Sequence, residues 1–213
     1  MKKRIAILLL AVLLAATSST TALAAPGPLF SDLPEDRWSH QYVSDLYRQG
    51  VVNGYPDGTF QPFGSVTYGE AFKLILLSIG VKEPAPASTG EHWAMPYVQA
   101  MYTLKVLQGS RGSDGRLYAN VGSNVTREET MTILGRVLAA SQSTDLSVFP
   151  DGGSVSSWAS PHVQTLVALG VVGGSNGMLN PRAEITRAEI AKLLVEIQPL
   201  EKALLIPRLD LMT

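Results

Sequence analysis

The stretch Ile185-Thr186-Arg187-Ala188-Glu189 constrains the fold most, because it recurs as Val125-Thr126-Arg127-Glu128-Glu129 and, more loosely, as Val66-Thr67-Tyr68-Gly69-Glu70. A threonine followed three residues later by glutamate is a capping box. The hydroxyl accepts from a first-turn amide, and the carboxylate reaches back to the threonine's own amide. Each copy predicts a helix start, and each runs on into apolar residues at helical spacing: Phe72, Leu74, Ile75 and Leu76 in the first, Ile190, Leu193, Leu194 and Ile197 in the third. The three threonines stand 59 and 60 residues apart, a fixed period that predicts a repeat architecture.

Ahead of each box lies a second recurring pattern. In the first copy Phe30-Ser31-Asp32 leads to Trp38, then to Tyr42, Val43, Leu46 and Tyr47 at helical spacing, and stops at Gly50, a residue suited to the left-handed position past a helix. Two short apolar stretches then flank the Asp57-Gly58 turn, a strong signal for a tight reversal. The third copy repeats this with Phe149-Pro150-Asp151, Trp158, Pro161 as a first helical residue, Gly170 and the turn Asn176-Gly177. The second copy has Trp93 and a helix from about Pro96, a loop through Asp114-Gly115, Lys105 where the others have glycine, and Pro84 to Ala87 where a Phe-x-Asp would stand. The expected units are residues 25–83, 84–144 and 145–198, each a helix, a glycine-rich loop and a helix. A tail over 199–213 lies outside the period, with leucines able to pack back on the core or to dock a protein cargo and Pro207 blocking a long helix.

Composition narrows the function. The chain has no cysteine, which excludes disulfides, thiol catalysis and thiolate metal sites, and its scattered His40, His92 and His162 form no metal motif. Residues 1–24 read as a secretory signal: Lys2, Lys3 and Arg4, an apolar run, then Ala22-Leu23-Ala24. Removing those three cations from 17 basic side chains leaves 14 against 18 acidic ones, a mildly acidic exported protein with no electrostatic case for nucleic acid. No later segment reaches the apolar length of a membrane span. No cofactor or metal is expected; the Asp-Gly and Asn-Gly turns lack the alternating acids of a calcium loop.

These residues together resemble the S-layer homology family over roughly Phe30 to Gln198. The carriers are the two Phe-x-Asp motifs, Trp38, Trp93 and Trp158, the run from Gly50 to Pro62, and Thr186-Arg187-Ala188-Glu189. The resemblance implies a mainly α fold in which three helix-loop-helix repeats form a pseudo-threefold spindle around a central three-helix bundle. It also implies non-covalent binding of a cell-wall polysaccharide, typically a pyruvylated secondary polymer, in grooves between repeats. Because three repeats can close one spindle within a chain, a monomer is expected.

A sugar carrying a carboxylate wants a guanidinium for two-point contact, carboxylates or backbone groups for its hydroxyls, and glycine where the backbone must come close. The candidate ligand-binding residues are therefore Asp32, Gly54, Arg127, Asp151, Gly174 and Arg187. Arg127 and Arg187 each follow a helix cap, where the dipole would also favour an anion; the alternative is an arginine paired with a neighbouring glutamate. Asp32 and Asp151 either cap a turn or, as the resemblance implies, face the saccharide. The tryptophans are expected in the core rather than stacked on sugars, and Glu70, Glu129 and Glu189 are accounted for by capping rather than catalysis.

Tyr68 replaces the arginine in the first copy, and the second lacks the aspartate, so the grooves should not be equivalent. Pairing within a repeat completes only Asp151 with Arg127's counterpart Arg187. Pairing with the following repeat completes only Asp32 with Arg127, and pairing with the preceding one completes Asp151 with Arg127 and Asp32 with Arg187. The leading expectation is a non-enzymatic wall-anchoring module. The alternatives are a peptidoglycan-binding or protein-interaction scaffold, and a wall-glycan hydrolase, for which no Ser-His-Asp set or metal site can be assembled.

Overall fold

All three capping boxes form. The threonine amides donate to the glutamate carboxylates at 2.9, 2.8 and 2.9 Å for Thr67, Thr126 and Thr186, and each hydroxyl accepts from the glutamate amide at 3.3 Å. They start the helices here called α2 (Tyr68–Ser78), α4 (Arg127–Leu138) and α6 (Arg187–Leu204). The tryptophan-led segments form the shorter α1 (His40–Arg48), α3 (Met95–Thr103) and α5 (Ser160–Ala168). Gly50 and Gly170 follow α1 and α5 with φ of 72° and 76°, as a left-handed stop requires, and Lys105 takes the same conformation after α3 at φ 59°. Two 3₁₀ turns, Leu146–Val148 and Gly152–Ser154, complete the elements, and no strand occurs among the described residues.

This computed structural model describes residues 29–107 and 120–204, with side chains through Leu200. The expected signal, the Asp114-Gly115 turn and the end of the tail lie outside the described residues. α6 crosses the expected boundary at 198 and continues through Pro199 to Leu204. Pro199 is exposed, where water can satisfy the carbonyl its ring leaves unbonded, while Leu200 still packs on the core.

The repeats are joined cyclically rather than stacked in a line. Immediately before the three capped helices, Val66 N donates to Ile185 O at 3.2 Å, Ile185 N to Val125 O at 3.0 Å, and Val125 N to Val66 O at 2.9 Å, a closed ring of three fully buried residues. The same exchange continues into the first turns. Tyr68 and Gly69 amides donate to carbonyls of Ser123 and Val121, Arg127 and Glu128 to Ala183 and Pro181, and Arg187 and Ala188 to Gly64 and Pro62. On the outer end of this ring Glu184 accepts from Ser65 Oγ at 2.7 Å and Asn124 Nδ2 at 2.9 Å, so one carboxylate links all three repeats.

α6 packs against both α2 and α4, and each short helix lies on the capped helix of another repeat: α1 on α6, α3 on α2 and α5 on α4. The core fills from both sets, with Phe60, Phe72, Ile75, Leu134, Leu166 and Ile197 all essentially inaccessible. Packing the first helix of one repeat on the second helix of the repeat before it brings the tryptophan segments beside the capped helices, and that places the grooves.

Candidate functional site

The helix starts are not open anion sites. Their first two amides are taken by carbonyls of the next repeat and the third by the capping threonine, so the expectation that Arg127 and Arg187 act together with a free helix terminus is corrected. The arginines instead reach across to neighbouring loops. Arg127 Nε donates to Leu179 O at 2.8 Å, and its Nη1 pairs with Glu189 Oε1 at 2.8 Å; the two side chains are only 10% and 24% exposed. Arg187 Nε donates to Phe60 O at 2.8 Å, its Nη2 approaches Asn53 O at 3.4 Å, and its guanidinium lies over the rings of Tyr55 and Phe60 at 4.9 and 4.7 Å.

The loops those arginines hold are fastened from the other side by the aspartates. Asp32 accepts from the amides of Phe60 at 2.7 Å and Gln61 at 2.8 Å; Asp151 accepts from Leu179 at 2.8 Å and Asn180 at 2.7 Å. Burial works against ionisation of Asp151, but these amides and the charge of Arg127 hold its carboxyl below its ordinary value. Of the three pairings open in sequence, the structure brings together Asp151 with Arg127 and Asp32 with Arg187, each through one loop peptide. Both oxygens of each aspartate accept from the loop, and neither side chain is among the lining residues of the grooves described below. The two glycines are likewise explained by packing. A Cβ on Gly54 would meet the Phe30 ring and, at 2.7 Å, Thr59 O; one on Gly174 would lie 3.0 Å from Phe149 and from Met178 O. The close approach is to the phenylalanine of Phe-x-Asp, although Gly174 also lines a groove.

Two grooves share an arginine, a capping glutamate, a lysine and a leucine, but only the larger has a tryptophan in its lining. The larger, about 270 Å³, is lined by Arg127, Glu189, Lys192, Leu193, the segment from Val171 to Asn176, and Trp38. It draws on all three repeats. The smaller, about 160 Å³, is lined by the corresponding Arg187, Glu70, Lys73, Leu74 and Val51 to Asn53. At the third position Tyr68 takes the arginine's place. Burial raises its hydroxyl's pKa first, and its bond to Glu129 raises it further, so this pair stays a neutral phenol against a carboxylate. Thr132 stands there in place of the lysine.

The tryptophans contradict the expectation of core positions. Trp38, Trp93 and Trp158 are 53%, 47% and 50% exposed. The residue after each one, Ser39, Ala94 or Ala159, is fully buried, so the small side chain faces the core and the indole is turned outward. That Trp-small dipeptide was the legible signal. Sequence reasoning also missed Lys73 and Lys192, each one turn beyond a capping glutamate and so on the same helix face.

The capping glutamates keep their structural role, since all three hold their boxes. Among the described residues no cluster of three or more acids, histidines or cysteines could hold a metal ion. No described helix is long and apolar enough to cross a membrane.

The S-layer homology domain profile matches residues 29–72 and 148–191, the first and third copies. Similar proteins include an endoglucanase of Bacillus sp. (strain KSM-635), 28% identical over 78% of this chain and 18% of the relative. An amylopullulanase of Thermoanaerobacterium thermosulfurigenes is 27% identical over 78% of this chain and 9% of the relative. An S-layer protein of Bacillus licheniformis is 26% identical over 81% of this chain and 20% of the relative. The chain thus spans no more than a fifth of the length of these relatives.

Proposed function

We propose that this chain, which carries S-layer homology repeats, is a non-catalytic module that anchors to the cell wall by taking an acidic wall polysaccharide, of the pyruvylated kind, in the groove of Trp38, Arg127 and Lys192. The observation that carries the reading is the composition of that groove. An exposed indole offers a face for a sugar ring, Lys192 offers a cation, and the polar Ser175 and Asn176 offer groups for hydroxyls. Arg127 is already spoken for by Glu189 and Leu179, so its part is to hold the wall of the groove and contribute charge.

The relatives support a binding rather than a catalytic role. A segment common to an endoglucanase, an amylopullulanase and an S-layer protein cannot supply the distinct activity of each, but it can supply a shared attachment. Attachment puts the chain at the cell surface, with the wall polymer as its partner.

The test is co-sedimentation with purified wall sacculi before and after acid extraction of the secondary polymer, using Trp38→Ala and Lys192→Ala beside the wild type. These substitutions change the groove lining without opening the buried ion pair. Binding that vanishes on extraction and weakens roughly tenfold or more in each variant is expected, as loss of one stacking or charged contact implies. Binding that survives both extraction and substitution refutes the reading and favours peptidoglycan or a protein partner.

A further inference from the structure

We propose that Glu83 sets the selectivity of the smaller groove, its carboxylate occupying the Lys73 ammonium as an internal substitute for an acidic ligand. The inference rests on the reading of the larger groove given above and concerns why its twin differs. Lys192 and Lys73 are equivalent, each three residues past a capping glutamate and each lining its groove. Among the described residues Lys192 has no carboxylate within ion-pair distance. Lys73 Nζ lies 2.7 Å from Glu83 Oε1, and the same oxygen accepts the Tyr97 hydroxyl at 2.6 Å.

The tyrosine is the informative part. Tyr97 and Tyr42 are also equivalent, four residues past Trp93 and Trp38. Beside the larger groove, Tyr42 donates at 3.2 Å to Glu196, a carboxylate one turn farther along α6 from Lys192, and no carboxylate among the described residues pairs with the lysine. Beside the smaller groove the chain leaving α2 returns Glu83 to the lysine itself, and the Tyr97 ring lies 5.7 Å from the ammonium. Glu83 is thereby held by two donors rather than by one flexible surface pair.

The charges follow. Among the residues lining the larger groove Arg127 and Lys192 face Glu189, a formal excess of one positive charge in the lining. In the smaller groove Arg187 and Lys73 face Glu70, and Glu83 cancels the remaining charge. An acidic saccharide entering there must displace Glu83 from Lys73 and Tyr97 or place its own carboxylate beside it. A like charge at that distance is repulsive. The smaller groove therefore declines the ligand that the larger one takes. Lys73 and Glu83 are 35% and 59% exposed, so the block is soft and set by one replaceable side chain.

The experiment is calorimetric titration of the protein with a soluble N-acetylhexosamine disaccharide bearing a pyruvate ketal, and with the same sugar lacking the ketal. The wild type is expected to take one equivalent of the acidic sugar. Glu83→Gln, which keeps an acceptor for Tyr97 but removes the charge, should take two, the second at least about tenfold tighter than any residual wild-type site. Adding Lys73→Ala to Glu83→Gln should return the count to one. Unchanged stoichiometry and affinity in Glu83→Gln, with the first site still binding, overturns the role of Glu83 and leaves the larger-groove reading in place. Two equal sites in the wild type overturn it as well. Absence of ketal-dependent binding in every protein refutes the larger-groove reading, and this inference with it.

Discussion

Arg127 and Arg187 occupy the same position in their repeats, yet their removal should cost very different amounts. Arg127→Ala deletes an ion pair whose members are only 10% and 24% exposed and leaves Glu189 facing a low-dielectric wall, while Leu179 O loses its side-chain donor. Breaking a buried pair from one side costs about 3–5 kcal/mol, and an orphaned carbonyl adds about 1 kcal/mol. Glu189 keeps some access to water and its second oxygen still holds the Thr186 cap, so the expected total is about 3–4 kcal/mol. For a chain of this length that lowers the thermal midpoint by about 10 °C.

Arg187→Ala loses a good bond to Phe60 O, a long one to Asn53 O and the stacking on Tyr55 and Phe60, without stranding a paired carboxylate among the described residues. About 1–2 kcal/mol is expected. Urea unfolding followed by far-ultraviolet circular dichroism measures both variants in one series. Equal losses, or a loss under about 1 kcal/mol for Arg127→Ala, would refute the view that this arginine is first a structural tie between repeats. The distinction matters for binding studies, because lost attachment in Arg127→Ala would combine a missing contact with a loosened groove.

Three further outcomes are expected. Gly54→Ala should destabilise by about 2–3 kcal/mol, read from the urea midpoint, because its methyl would meet Phe30 and the Thr59 carbonyl. Lys105→Gly should stabilise by about 0.5–1 kcal/mol, read as a higher urea midpoint, since it relieves a left-handed lysine at the price of some unfolded-state entropy. His162 has its pKa lowered by burial and then by the Arg136 charge, so the unfolded chain binds the proton more readily. Stability should be full above about pH 6.5 and decline as pH falls through that value, a slope that His162→Gln flattens in unfolding curves taken from pH 7 to 5.

Much of the fold was legible because its signals are short-range. A capping box closes within three residues, a left-handed glycine stops the helix it follows, and Asn176-Gly177, with φ of 50° and 76°, makes a tight turn with mutual Ser175 and Met178 bonds whatever surrounds it. The helix starts and the spacing of the three capping boxes both come from such patterns. The tryptophans were misread because a single indole carries no direction. Its direction is set by the buried Ser39, Ala94 or Ala159 that follows, and becomes clear only when the pair is read together.

What the sequence alone determined, then, is the α-helices found among the described residues and the residues that start and stop them, since those depend on bonds between near neighbours. The tertiary structure decided how the units close on one another, and with that the fate of every charged candidate. Arg127 finds Leu179 O across 52 residues and Arg187 finds Phe60 O across 127, while the amides that might have held an anion are filled by carbonyls of the next repeat. A buried polar group must be satisfied, but residue type does not say by which partner. Cyclic closure supplies that partner, tying Arg127 and Arg187 to the loops that frame the grooves and leaving the indoles exposed.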